Sequence, residues 1–188
     1  VGIESTVSSL LVSNILPVAI EVGRSLSGAI TVTNNGSLKL IGDWRNLSGG
    51  LLSSVSMSGG TTLEADISLT VAGTLTHTGN ITIDVADTKT LTYTNTAISL
   101  GANTLTLQGG GNLVSGGLTL NDANSKLLLN SITVDSVSTS VDSLGLDVDN
   151  NSTVTSLTVG HTTPVSIESG KSLSGTITVT AGSIKLTE

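Results

Sequence analysis

The feature that most constrains the fold of this chain is a set of short runs in which an aliphatic residue alternates with Thr, Ser or a charged residue. Examples are 29–33 (AITVT), 81–85 (ITIDV) and 104–107 (TLTL). This two-residue period is typical of a strand with one buried and one exposed face. Clusters rich in Gly and Asn, such as 34–36 and 109–112, separate the runs and are typical of turns. No segment has a sustained helical period, so we predict an all-β protein with almost no helix.

The aromatic content distinguishes two all-β architectures. A β-sandwich of Ig-like modules normally has rings in its core, and each ring buries about 150–250 Å². This chain of 188 residues has no Phe, one Trp (Trp44) and one Tyr (Tyr93). The narrow interior of a β-solenoid is instead filled by small aliphatic side chains, stacked about 4.8 Å apart in successive turns. We therefore predict a single-stranded parallel β-solenoid (a β-helix) with short strands, Gly and Asn corners, and turns of about 18 to 22 residues. Tandem β-sandwich modules are the alternative.

An internal repeat relates the two ends of the chain. Residues 5–33 align with residues 152–180 without a gap, and 19 of these 29 positions are identical. After one deletion, the alignment resumes between residues 36–40 and 182–186, so the repeated unit is about 147 residues long. We expect residues 1–188 to form one continuous solenoid that holds one unit and the opening of the next, as in a tandem array.

Composition argues against several functional classes. The net charge is −7 and the seven Lys and Arg residues are scattered, which argues against nucleic-acid binding. The chain has no Cys for a disulfide scaffold and no long apolar run for membrane insertion. A chain rich in Thr, Ser, Gly and Asn favours an extracellular or cell-surface location. It opens at Val1 without a basic and apolar leader, so we expect either a removed signal or a segment of a longer protein.

One acidic stretch is a weak candidate for calcium binding. Asp147, Asp149 and Asn151 have the D-x-D-x-N spacing with which a calcium loop begins, and carboxylate and amide oxygens are the ligands that Ca²⁺ prefers. The later positions of that loop do not match, because Ser152 stands in place of Gly and Thr158 in place of Glu. The alternative interpretation is a solvated turn between two coils. No other cofactor is expected.

A second weak candidate is a contact site at Trp44 and Arg45. These residues lie in the segment 42–47, which has the least solenoid-like sequence in the chain. Trp and Arg are favoured at interface hot spots, so the pair could anchor a partner. The alternative is a loop that folds over one face of the solenoid.

The sequence offers no catalytic residues that we would assign, and we predict that the chain is not an enzyme. His77 and His161 are the only histidines, and no G-x-S-x-G motif is present. A carbohydrate-active enzyme would have to rely on Asp147 and Asp149, and it remains a third hypothesis.

Runs such as 104–111 (TLTLQGGG) and 116–121 (GGLTLN) resemble the coils of filamentous-haemagglutinin-type and autotransporter-type β-solenoid surface proteins. The resemblance is one of texture and covers most of the chain. It implies a structural segment of a secreted or cell-surface fibre. We expect self-association into a fibre or a longer tandem array, through backbone β-pairing and end or lateral contacts. The alternative function is an adhesin that binds surface glycans, assisted by calcium.

Overall fold

A computed structural model describes residues 5–13, 18–20, 26–33, 36–40, 51–52, 54–71, 73–94, 97–181 and 183–186. Within these ranges the chain forms 22 strands and no helix, so the all-β prediction is confirmed. The strands are short because the alternating runs are interrupted by Gly, Asn and Ser every few residues.

The strands, in chain order, are β1 (Ser5–Val12), β2 (Val18–Ile20), β3 (Leu26–Val32), β4 (Ser37–Leu40), β5 (Leu51–Leu52), β6 (Ser54–Met57), β7 (Thr61–Ala65), β8 (Leu69–Val71), β9 (Leu75–His77), β10 (Ile81–Val85), β11 (Thr90–Tyr93), β12 (Ile98–Ser99), β13 (Thr104–Gln108), β14 (Asn112–Val114), β15 (Leu118–Leu120), β16 (Lys126–Asn130), β17 (Thr133–Thr139), β18 (Gly145–Val148), β19 (Ser152–Val159), β20 (Pro164–Ile167), β21 (Leu173–Val179) and β22 (Ser183–Leu186).

The strands stack in parallel as a β-solenoid, as predicted. One sheet of nine strands runs β2-β4-β7-β10-β13-β16-β18-β20-β22, and its neighbours are two or three strands apart in sequence. Two further sheets run β1-β3-β6-β9 and β12-β15-β17-β14-β11-β8-β5, and β19 and β21 continue from β17. All the ladders between these strands are parallel. An Ig-like sandwich is built from antiparallel sheets, so the alternative fold is excluded for these residues.

The length of a turn follows from which residues are stacked. Leu146 pairs with Val165, and Leu38 pairs with Leu63, so the turns contain 19 to 25 residues. The later turns match the predicted length, but some earlier ones are longer. The turn from Ile83 to Leu107, for example, spans 24 residues.

The core is a set of aliphatic ladders that run along the axis of the solenoid. One ladder in the nine-stranded sheet is made of fully buried residues that pair from turn to turn: Leu38, Leu63, Ile83, Leu107, Leu129 and Val148. A second ladder lies on another wall and is also buried: Leu69, Leu91, Leu113, Val134 and Val154. Each inward side chain therefore packs against similar side chains in the turns above and below it.

At the buried corners, side-chain hydroxyl groups form hydrogen bonds with backbone N–H and carbonyl groups. The Ser125 side chain is fully buried, and its Oγ donates to the Gly101 carbonyl oxygen at 2.6 Å and accepts from the Asp122 N–H at 2.9 Å. The single Tyr is also inside the solenoid. Tyr93 is 5% exposed, and its hydroxyl accepts a hydrogen bond from the Leu75 N–H at 3.2 Å. Buried polar groups need such partners, which explains why Ser and Thr recur at these corners.

The two copies of the sequence repeat form the same local structure. Val18 pairs with Leu38 in the first copy, and the equivalent Val165 pairs with Ile184 in the second. The β1–β3 and β19–β21 ladders also have the same register, and each contains an irregularity at the equivalent position. Strand pairing is thus encoded within the repeat itself.

Candidate functional site

The predicted calcium ligands each have a defined position in the structure. Asp147 lies in β18, where a carboxylate oxygen is 2.7 Å from the Lys126 Nζ. Both side chains are about one third exposed, at 30% and 33%. Asp149 follows the strand and is exposed. The Asn151 amide oxygen accepts hydrogen bonds from the Ser172 N–H at 3.0 Å and its Oγ at 3.2 Å.

These contacts give two of the three residues a structural role between adjacent turns. Lys126 joins β16 to β18, and Asn151 joins the corner before β19 to the corner before β21. Among the described residues, no three His, Cys, Asp or Glu side chains form a group that could hold a metal ion. Calcium binding by Asp147, Asp149 and Asn151 stays a prediction.

The predicted contact site cannot be placed. Trp44 and Arg45 lie outside the described residues. The two histidines are far apart in the solenoid, one in β9 and the other at the corner before β20.

A surface groove of about 500 Å³ lies along one line of corners. It is lined by Asn121, Asp122, Ala123, Val141, Asp142 and His161, which come from three successive turns. The Thr162 N–H donates to a carboxylate oxygen of Asp142 at 2.8 Å. This backbone hydrogen bond, supported by the Thr162 side chain and by the nearby His161, lowers the pKa of the exposed Asp142 carboxyl. The groove therefore presents an ionised carboxylate beside an imidazole.

We expect the pKa of Asp142, followed by NMR titration of its carboxyl carbon, to lie below the usual value for aspartate. In Thr162→Val, which keeps the N–H and removes the hydroxyl, most of this lowering should remain, because the backbone hydrogen bond is its largest cause. In Thr162→Pro, which removes the N–H, the pKa should rise toward the usual value.

The sign of the pH effect follows from the direction of the shift. A lowered pKa in the folded state means that this hydrogen bond stabilises the fold above the pKa of the unfolded chain, and the contribution is lost as the pH falls through the lowered pKa. A normal pKa in the unsubstituted chain, or one restored by Thr162→Val alone, would contradict the assignment.

A second depression, of about 290 Å³, lies between β9 and β12. It is lined by Thr74, Leu75, Thr76, His77, Tyr93, Ala97, Ile98 and Ser99. The His77 Nδ1 is 3.3 Å from the Gly79 carbonyl oxygen, and its Nε2 is 3.1 Å from the Ser99 carbonyl oxygen. A neutral imidazole has one N–H, so it donates to one of these two oxygens, and the tautomer with the hydrogen on Nε2 joins His77 to the neighbouring turn through Ser99.

Val179 in β21 and Ile184 in β22 are 47% and 40% exposed, because no described strand follows these two strands in their sheets. Their repeat equivalents in the first copy, Val32 and Leu38, are fully buried, since they pair with Met57 in β6 and Leu63 in β7.

The groove at Asp142 was not predicted from the sequence. Its lining residues come from three successive turns, and no local pattern in the sequence brings them together.

The described residues contain no helix, and therefore none that is long and apolar enough to span a membrane. No protein-family profile, curated protein or solved structure matches the chain.

Proposed function

We propose that this chain is a non-enzymatic structural segment of an extracellular or cell-surface fibre. The observation that carries the proposal is the continuous parallel stacking of turns, in which both copies of the sequence repeat form the same ladders in the same register. Further repeats of this kind would extend the same ladders that form the core.

The construction of the body supports a scaffold role. Inward positions are filled by aliphatic ladders, and outward positions carry mainly Thr, Ser and short polar side chains. Parallel pairing continues from β2 to β22 along a sheet of nine strands, which spans roughly 40 Å at about 4.8 Å per strand. A stiff rod of this kind can act as a scaffold of fixed length and shape, and this role requires no catalytic centre.

The charge of the chain supports control of assembly by salt. The net charge is −7 at pH 7, so copies of the chain repel one another at low ionic strength. Salt screens this repulsion, and the Debye length falls from about 30 Å at 0.01 M to about 10 Å at 0.1 M. The aliphatic and backbone contacts of an end-to-end interface are not weakened in the same way.

We expect the chain to associate into filaments as concentration and salt are raised. Sedimentation velocity would show a growing fraction of large species, and negative-stain electron microscopy would show unbranched rods one solenoid wide or laterally bundled. Fibre diffraction should give a reflection near 4.8 Å along the rod axis. Dilution at low salt is the control and should return monomers. Discrete monomers throughout the series would contradict the proposed function.

A further inference from the structure

We propose that one wall of the solenoid binds the ordered water lattice at the surface of ice. The wall is formed by the outward Ser and Thr side chains of β12, β15, β17, β19 and β21, and we call it the hydroxyl wall. This inference goes beyond the proposed scaffold role, because it concerns the side of a single copy of the chain and requires no contact between copies.

The first column of the hydroxyl wall contains one Ser or Thr from each of five successive turns. Parallel pairing stacks them in the order Ser99, Thr119, Ser138, Thr158 and Thr178. In the first four of these strands the preceding residue is a buried aliphatic side chain, so the hydroxyl side chains point away from the core. Their outward direction is set within each strand and does not depend on which turns lie above and below.

A second column runs beside the first. Ser136, Ser156 and Thr176 stack on one another, and each lies two residues before a member of the first column in β17, β19 and β21. Adjacent strands are about 4.8 Å apart, and two residues along a parallel strand span roughly 6.6 Å. The wall therefore presents hydroxyl groups in a lattice that repeats in two directions.

The hydroxyl groups of the first column are not used to hold the fold together. Within the part of the chain that the structure describes, the side-chain oxygens of Thr119, Ser138 and Thr158 form no hydrogen bond with the protein. At the next corner the hydroxyl groups are used in this way. The Thr139 Oγ1 donates to the Gly160 carbonyl oxygen at 2.7 Å, and the Ser140 Oγ donates to the Leu120 carbonyl oxygen at 3.3 Å. The wall thus leaves its hydroxyl groups available to water.

The two columns carry no charged side chain, although the net charge of the chain is −7. The outward face of the nine-stranded sheet differs, because Glu64 and Asp84 are paired there and Lys126 contacts Asp147. Near the hydroxyl wall, the Asp135 carboxylate accepts a hydrogen bond from the Ser115 N–H at 2.9 Å. A wall without charge complements a neutral partner.

The size of the hydroxyl wall argues against a second copy of the chain as that partner. Five strands and two columns cover roughly 20 Å by 10 Å, or about 200 Å². A stable protein interface buries about 800 Å² on each side. A crystal surface offers the same lattice at every position, so a small matching area suffices for adsorption.

Ice matches the chemistry of the wall better than a crystalline polysaccharide does. Hexagonal ice has oxygen atoms at comparable repeats in two directions on its prism face, so several hydroxyl groups can bond to it at once. Because the sheet fixes these groups beforehand, little conformational entropy is lost on binding. Ligand sites of proteins generally combine aromatic side chains with a few placed polar groups. The two columns contain Ser and Thr alone.

Two matched variants test the wall. Thr119 in β15 and Thr106 in β13 are each the half-buried centre of a Leu-Thr-Leu segment with two buried leucines. Thr119 lies in the hydroxyl wall, whereas Thr106 lies on the outward face of the nine-stranded sheet. Thr119→Lys and Thr106→Lys therefore make the same change in charge and size on different walls. Circular dichroism and thermal denaturation would show that both variants fold.

We expect the unsubstituted chain and Thr106→Lys to be incorporated into a slowly growing ice hemisphere and to inhibit ice recrystallisation. Thr119→Lys should lower the fraction of protein in the ice at least tenfold, because the lysine holds the ice lattice away from the neighbouring hydroxyl groups. Thr158→Lys, at an exposed position in the same column, should have the same effect. The measurements use dilute protein at low salt, so that filament formation does not affect them.

Exclusion of the unsubstituted chain from ice, or equal incorporation of Thr119→Lys and Thr106→Lys, would overturn the proposal. A parallel assay measures binding to crystalline cellulose and chitin. Binding there that is lost in Thr119→Lys and kept in Thr106→Lys, without incorporation into ice, would assign the wall to a polysaccharide lattice and overturn the ice surface as its partner. None of these outcomes depends on whether the chain forms filaments.

Discussion

Replacing Leu129 with alanine is expected to lower the free energy of unfolding by about 2–5 kcal/mol. Leu129 is fully buried in β16, and it pairs with Leu107 in the turn before and Val148 in the turn after. Alanine would leave a cavity between two layers of the ladder. Neither neighbour can easily move into it, because each is held in its own turn by the parallel hydrogen bonds of the sheet. Urea denaturation followed by circular dichroism measures the change.

The same strand contains a matched control. Leu128 is half-buried and lies on the outward face of β16, between two inward leucines. Leu128→Ala removes the same atoms from the same strand, so β-propensity and composition change equally in the two variants. We expect it to cost less than about 1 kcal/mol. Similar losses for Leu128→Ala and Leu129→Ala would mean that the alternation does not separate a core from a surface, and the aliphatic ladder would be wrong.

The second large effect is expected from Gly145→Ala, which should lower the free energy of unfolding by about 3 kcal/mol or more. Gly145 begins β18 with a φ of 114°, a value that residues with a side chain rarely adopt. A Cβ at this position would meet the carbonyl oxygen of Pro164 at 2.3 Å, where backbone of the next turn passes. The clash would force the turns apart or push the backbone of Gly145 into another conformation. Thermal and urea denaturation both report the loss.

Gly170 supplies the control for this prediction. It also has a positive φ, of 72°, but an added Cβ would meet no atom within 4 Å. Gly170→Ala therefore tests the conformational cost alone, which is about 1–2 kcal/mol. Gly145→Ala should be clearly more destabilising than Gly170→Ala. Equal effects would show that the close approach to Pro164 does not limit the distance between turns.

The architecture could be predicted from two features of the sequence, the alternation of residues in short runs and the scarcity of aromatic rings, because each has a direct structural cause. Alternation over short runs, as in β10 and β13, produces one buried and one exposed face in each strand. The scarcity of rings matches an interior that is filled almost entirely by aliphatic side chains. Tyr93 is the exception, and its burial could not have been predicted. The Tyr93 hydroxyl accepts a hydrogen bond from the N–H of Leu75, at the start of β9 in the preceding turn, and only the stacking of turns brings the two groups together.

The surroundings of the predicted site residues depend on tertiary contacts more than the strands do, and they were harder to predict from the sequence. The spacing of Asp147, Asp149 and Asn151 is visible in the sequence, but the partners of the first and last, Lys126 and Ser172, lie about one turn away along the chain. The groove at Asp142 also combines residues from three successive turns. No local pattern contains that information, because the number of residues in each turn varies from 19 to 25 and sets which corners become neighbours.

By itself, the sequence determined which segments form strands and which side chains in each strand point inward or outward, because these properties depend on residues that are close together. It also determined that the two copies of the repeat form the same strand pairs, because their sequences are nearly identical. Only the tertiary structure decided which residues stack on one another. The physical reason is that burial in a solenoid comes from the adjacent turns. Val32, for example, is enclosed by Val12 in one neighbouring turn and by Met57 in the other, and these two residues lie 20 and 25 positions away along the chain.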